Sequence, residues 1–146
     1  MMSKHPMNGR DQYMMISLED LVPKDHLIRK VDKAIDFTFI YPIVESTYST
    51  LGRPSIDPVV LVKIVFIQYL FGIRSMRQTI KEIDTNVAYR WFLGYDFNET
   101  IPHFSTFGKN YVRRFRDTTL FEDIFAYILE QAVKARMITE DVLYMD

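Results

Sequence analysis

The run from Val59 to Ile73 constrains the fold most, because it is apolar on nearly every face yet too short to cross a bilayer. Lys63 and Gln68 interrupt it. Asp57-Pro58 in front supplies an N-cap followed by proline at the first helical position, and Gly72 behind supplies a stop. A helix Pro58–Phe71 of this kind has no side suited to water, so it must be the central helix of a small bundle. Gly52-Arg53-Pro54 reads as the turn that leads into it.

The rest of the chain supplies helices to surround it. Residues 1–16 read as a loose leader, and Leu18–Leu21 as a single turn stopped by Pro23. Asp25 is the expected N-cap of a helix His26–Ile35, with Leu27, Ile28, Val31 and Ile35 on one face. Phe37–Val44 is aromatic and β-branched and contains Pro42, which leaves a short strand and an irregular packed segment both open. Ser75 to Gln78 has the spacing of a capping box and opens a helix Met76–Ile83. Asp84-Thr85 interrupts that helix, Asn86–Leu93 resumes it, and Gly94 ends it. After a loop from Tyr95 to His103, Ser105 is the expected cap of a helix Thr106–Arg116. Thr119 to Glu122 reads as a second capping box, opening an amphipathic helix to about Arg136. Leu120, Ile124, Ile128, Leu129 and Ala132 line its apolar side. Val142–Met145 is the first strand signal, and it stands at the end of the sequence. The expectation is therefore a mainly α fold, with a leader at 1–16, a helical domain at 17–138, and at 139–146 the start of a truncated further domain.

Composition narrows the function classes. At 48% hydrophobic and 25% charged, 146 residues suit one domain with its own core rather than a disordered chain. There is no cysteine, which excludes disulfides and thiolate metal sites and fits a reducing cytoplasm. His5, His26 and His103 are scattered without metal-ligand spacing. No signal peptide is visible, since residues 1–15 lack an apolar core. The net charge of −1 hides an asymmetry. Residues 74–116 carry eight basic side chains (Arg74, Arg77, Lys81, Arg90, Lys109, Arg113, Arg114, Arg116) against four acidic ones, whereas residues 117–146 carry two against seven. The basic middle locates a phosphate-facing region.

Helix 106–116 carries the sharpest local pattern. At 100° per residue, Phe104, Phe107, Tyr111 and Phe115 share one arc, and Thr106, Lys109, Arg113 and Arg116 fall opposite. An aromatic stripe that anchors the helix beneath a basic outer face suits a DNA-reading helix. A merely solvated basic face gives the same pattern, and the residues alone leave the two open. Arg74 and Arg77 stand at the start of their helix, where the dipole disfavours cations, which makes phosphate contact the more natural role. Trp91 at helical spacing reads as core rather than as a base-stacking platform.

Several blocks resemble the N-terminal domain of InsH-type insertion-sequence transposases. They are Gly52-Arg53-Pro54-Ser55-Ile56-Asp57-Pro58, Gly72-Ile73-Arg74-Ser75-Met76-Arg77-Gln78-Thr79 and Asn86-Val87-Ala88-Tyr89-Arg90-Trp91-Phe92-Leu93-Gly94. Ser105-Thr106-Phe107, Lys109-Asn110-Tyr111 and Arg113-Arg114-Phe115 continue the series in the family's order. His103 and Gly108 depart from it, standing where an acidic residue and a serine are usual.

The resemblance implies a helical bundle with a helix-turn-helix-like unit that binds the terminal inverted repeats of its element as double-stranded DNA. It assigns DNA contacts to Arg74, Arg77, Arg90, Ser105, Thr106, Lys109, Asn110, Arg113, Arg114 and Arg116. It also implies a following RNase H-like domain whose first strand, Val142-Leu143-Tyr144-Met145, ends in Asp146, the first carboxylate of a DDE triad. Two-metal strand transfer needs several carboxylates around Mg²⁺ or Mn²⁺. One aspartate cannot hold that site, so this chain is expected to bind no cofactor and perform no catalysis alone. The alternative function is a dimerisation module built on helices 58–71 and 119–136, with DNA contacts elsewhere. Either role places the protein in a bacterial cytoplasm, at the nucleoid.

Overall fold

The computed structural model describes residues 1–47, 56–116 and 118–135, with the backbone alone at 113 and 114. Eight α-helices make up the described fold: α1 (Leu18–Leu21), α2 (Leu27–Ala34), α3 (Ile40–Val44), α4 (Pro58–Leu70), α5 (Met76–Thr85), α6 (Val87–Leu93), α7 (Phe104–Arg114) and α8 (Leu120–Lys134). No strand occurs among the described residues, and the expected strand at 142–145 lies outside them. The mainly α expectation holds. The open question at residues 37–44 resolves as helical, a 3₁₀ turn Phe37–Phe39 running into α3. Pro42 is tolerated because it is the third residue of α3, where a missing N–H breaks no intrahelical bond.

The central helix is α4. Asp57 caps it by accepting a 2.7 Å bond from the Val59 amide, and Tyr41 donates its hydroxyl to the other carboxylate oxygen at 2.7 Å. Val60, Leu61, Val62, Ile64, Val65 and Ile67 are all buried, so α4 is enclosed over most of its surface, with Tyr69 exposed near its C-terminal end. Lys63 survives in this helix by bending its amine to the Phe92 carbonyl (2.9 Å), over the rings of Phe37 and Phe92. Desolvation pushes its pKa below the ordinary lysine value. Phe37, Phe66 and Phe92 meet one another at ring separations of 5.6–6.2 Å, forming the aromatic centre of the core.

Glycines end α4 and α6 as anticipated. Gly72 (φ +62°) and Gly94 (φ +78°) are left-handed, and the next amides, Ile73 and Tyr95, bond back to Gln68 and Arg90. Three N-termini differ from expectation. His26, not Asp25, caps α2 through Nδ1, which accepts from the Ile28 amide at 2.9 Å. At α7 His103, not Ser105, is the cap, and the helix begins two residues early at Phe104. Thr119 gives α8 no side-chain cap; its hydroxyl donates to Asp123 instead, while Thr118 Oγ1 accepts from the Leu120 amide. Conversely, α1 is closed by a reciprocal Ser17–Asp20 capping box.

Long-range polar contacts lock the ends of the bundle. Glu19 accepts from Arg29 (2.9 Å) and from the indole N–H of Trp91 (2.5 Å), while the Arg29 guanidinium lies 4.7 Å from the Trp91 ring centre. This cluster joins α1, α2 and α6, and it makes Trp91 a structural residue. Gln131 on α8 exchanges two hydrogen bonds with the backbone of Asp36.

Candidate nucleic-acid interface

The basic residues of the chain's middle divide into two physical classes. Arg90 is buried (6% exposed) and faces inward. Its guanidinium donates to the Asp84 carbonyl (3.0 Å), the Asp84 carboxylate (2.9 Å), and the carbonyls of Asp96 (2.8 Å) and Glu99 (2.9 Å). A planar fork with several donors suits this task, because it reaches the end of α5 and the α6–α7 loop at once. The loop is also closed by itself: Asp96 accepts from the amides of Asn98 and Glu99, and Glu99 accepts from that of Asp96. Residues 94–103 therefore separate α6 from α7 as a pinned loop rather than a tight turn, and Ile101 is buried beneath it.

The second class is exposed. Arg74, Arg77, Lys81, Lys109 and Arg116 all face solvent, and none forms an ion pair with a described residue. Arg77 and Lys81 share one face of α5 by their i, i+4 spacing. α7 packs on α5, and the Arg77 guanidinium lies 5.1 Å from the ring centre of Phe104 at the start of α7. This contact brings the α5 cations beside the α7 N-terminus. The sequence placed Phe104 in the buried aromatic stripe; it is 38% exposed and serves as a platform for Arg77. Lys81, counted among the basic residues of the middle but assigned no contact there, joins this exposed face by its spacing from Arg77.

On α7 the anchoring stripe survives in Phe107 and Phe115, which are buried. Ser105, Thr106, Lys109 and Val112 face solvent. Asn110 is half-buried, its amide donating to the Thr106 carbonyl at 2.9 Å. Its Oδ1 is buried and accepts no hydrogen bond from a described residue. The side chains of Arg113 and Arg114, and all of Asp146, lie outside the described residues. Phe115 and Tyr111 stack against Phe121 of α8, each at 5.3 Å, so α7 is held at both ends.

Among the described residues no group of three His, Asp or Glu side chains is placed to hold a metal ion, and no helix is long and apolar enough to cross a membrane. No curated protein and no solved structure matches the chain. Residues 16–113 match a family model described as a transposase domain (DUF772), a span that runs from α1 to the last turn of the basic helix α7. The chain thus belongs to the transposase-domain family, which ties it to transposition.

Proposed function

We propose that this bundle is the DNA-binding domain of an insertion-sequence transposase and recognises the terminal inverted repeats of its element. The observation that carries the reading is the exposed cation set on α5 and the adjoining α7, free of ion pairs with described residues. Cations left without acidic partners on one surface attract phosphates and release counterions on binding. On this reading α7 reads base edges with Ser105, Thr106, Lys109, Arg113 and Arg116, and Val112 offers an apolar contact to a thymine methyl. Arg74, Arg77 and Lys81 hold phosphates, joined by Arg114. Arg90 and Asn110 serve binding by positioning. Strand transfer, with Mg²⁺ or Mn²⁺ and Asp146, would belong to an RNase H-like domain following this one, and the site of action would be the bacterial nucleoid.

Fluorescence anisotropy against the element's end sequence and a scrambled duplex, over about 50–200 mM salt, tests the proposal. A preference for the end sequence is expected, with affinity falling steeply as salt rises. Arg77→Ala should reduce the salt slope by about one and weaken both duplexes alike. Lys109→Ala should narrow the preference for the end sequence. Absence of binding to either duplex at low salt would refute the reading.

A further inference from the structure

Between α2, α4 and α8 runs an open cleft of about 370 Å³ with apolar walls, formed by Leu27, Phe66, Tyr69, Leu70, Phe125 and Leu129. Leu27 and Leu129 are each 42% exposed and Tyr69 is 74% exposed, so the apolar surface is contiguous around one feature rather than scattered. The sequence placed Leu129 on the buried side of its helix. In fact the core face of α8 is Ile124, Ile128 and Ala132, and Leu129 belongs to a second stripe. Glu122, Ala126, Leu129 and Val133 follow at alternating spacings of four and three, the period of a seam between two packed helices. The first three of them are exposed and Val133 is half-buried.

We propose that a second copy of this chain covers the cleft, with its α8 antiparallel to the first across a two-fold axis near Tyr127 and Ile128. The charge layout of α8 orients such a pair: its first turn carries Glu122 and Asp123, and its last turn carries Lys134, which lies 3.4 Å from Glu130 on its own exposed face. An antiparallel pair sets each acidic first turn beside the other copy's basic last turn, whereas a parallel pair stacks like charges. Symmetry about the middle of the seam sets the small Ala126 against Leu129 of the second copy, twice over. Each surface is its own complement, as a two-fold interface requires. The apolar rim around Tyr69 and Leu27 extends the contact beyond the helix pair.

This inference does not depend on DNA binding, but it has a consequence for it. Phe121 connects α8 to Tyr111 and Phe115 on α7, and stacks 4.8 Å from Phe125 at the cleft. A dimer through α8 would therefore hold two α7 helices at one fixed separation, which on the DNA reading sets the spacing of two half-sites.

Sedimentation velocity of the full chain without DNA, from about 1 to 100 µM, tests the proposal. A concentration-dependent dimer is expected. Leu129→Glu and Ala126→Glu should each weaken it by about tenfold or more, with helical circular dichroism and unfolding midpoint retained. Glu122→Lys should weaken it, and adding Lys134→Glu should restore it. A monomer throughout would overturn the proposal. So would a dimer indifferent to Leu129→Glu and Ala126→Glu, or a charge swap that fails to recover. A dimer that resists these changes but is lost on removing residues 1–15 would put the N-terminal segment in the cleft, and would overturn it as well.

Discussion

Replacing Arg90 should destabilise the fold itself. Its side chain is nearly inaccessible and its donors are bonded to four acceptors. The Asp84 carboxylate is 62% exposed, so water takes over that partner and its loss counts for little. The carbonyls of Asp84, Asp96 and Glu99 are different, because they are fixed in the backbone and cannot swing out to water as the carboxylate can. Hydrogen bonds to a charged donor contribute about 1.5–3 kcal/mol each, and three would total more than water entry allows. Partial rehydration reduces the expected cost of Arg90→Ala to about 3–5 kcal/mol, since each part-buried acceptor left unpaired costs about 1–3 kcal/mol at most. Against a total stability of about 5–15 kcal/mol this is a large fraction. The urea midpoint should fall by about 2 M for a slope near 2 kcal/mol per molar. Arg90→Lys should recover less than half of the loss, since one ammonium cannot span carbonyls on two segments. Hydrogen exchange should quicken first at the amides of residues 95–103. Arg77→Ala, an exposed control, should stay within about 0.5 kcal/mol of the parent. A loss below about 1 kcal/mol for Arg90→Ala, or a lysine as good as the arginine, would refute the reasoning.

The Glu19 carboxyl is held at about 2, against an ordinary 4.5, first by the Arg29 hydrogen bond and then by that from Trp91. A depressed folded pKa means that its stabilisation is complete above about pH 4.5 and lost as pH falls through about 2. Urea midpoints of the parent should therefore fall more steeply across that window than those of Glu19→Gln; parallel curves would contradict the assignment. Gly94→Ala should cost about 1 kcal/mol in thermal or urea unfolding, because φ is +78° while nothing crowds the new methyl; a neutral substitution would mean that the α6 terminus rearranges. The Tyr41 phenol is pushed up to about 12, chiefly by its hydrogen bond to Asp57. Asp57→Asn keeps a cap for α4 but should bring that phenol down toward 10, read by ultraviolet titration.

Local grammar was legible in the sequence, and long-range geometry was not. The stops at Gly72 and Gly94 and the Ser75 cap depend on residues a few positions apart, so pattern reading reached them. The enclosed position of α4 followed from its composition, because no other place in a bundle suits it. The α7 start was missed because imidazole Nδ1 at His103 accepts the same kind of bond as a serine hydroxyl. Glu19 and Trp91 stand 72 residues apart, and their contact had no local signal. The two readings of Leu129 differ by 100° around one helix, and only packing decides which stripe faces α4.

Arg90 makes the same point about charge and carries it to function. Counting residues 74–116 gives eight cations of equal weight, yet Arg90 is spent inside the fold and five others stand exposed. The buried one still governs the exposed ones. Arg90 fixes the loop that delivers Phe104, Phe104 carries Arg77, and Phe115 fixes the far end of α7 against Phe121. On the proposed DNA-binding reading, variants that weaken binding should accordingly fall into two groups, separable without reference to sequence preference. Changes at Arg77, Lys81 or Lys109 should lower the salt slope and leave unfolding unchanged. Changes at Arg90, Phe107 or Phe115 should lower stability and leave the slope of the folded fraction intact, because every exposed cation remains. A variant of the buried group that lost slope but kept its stability would show that α7 is placed by something other than its three supports.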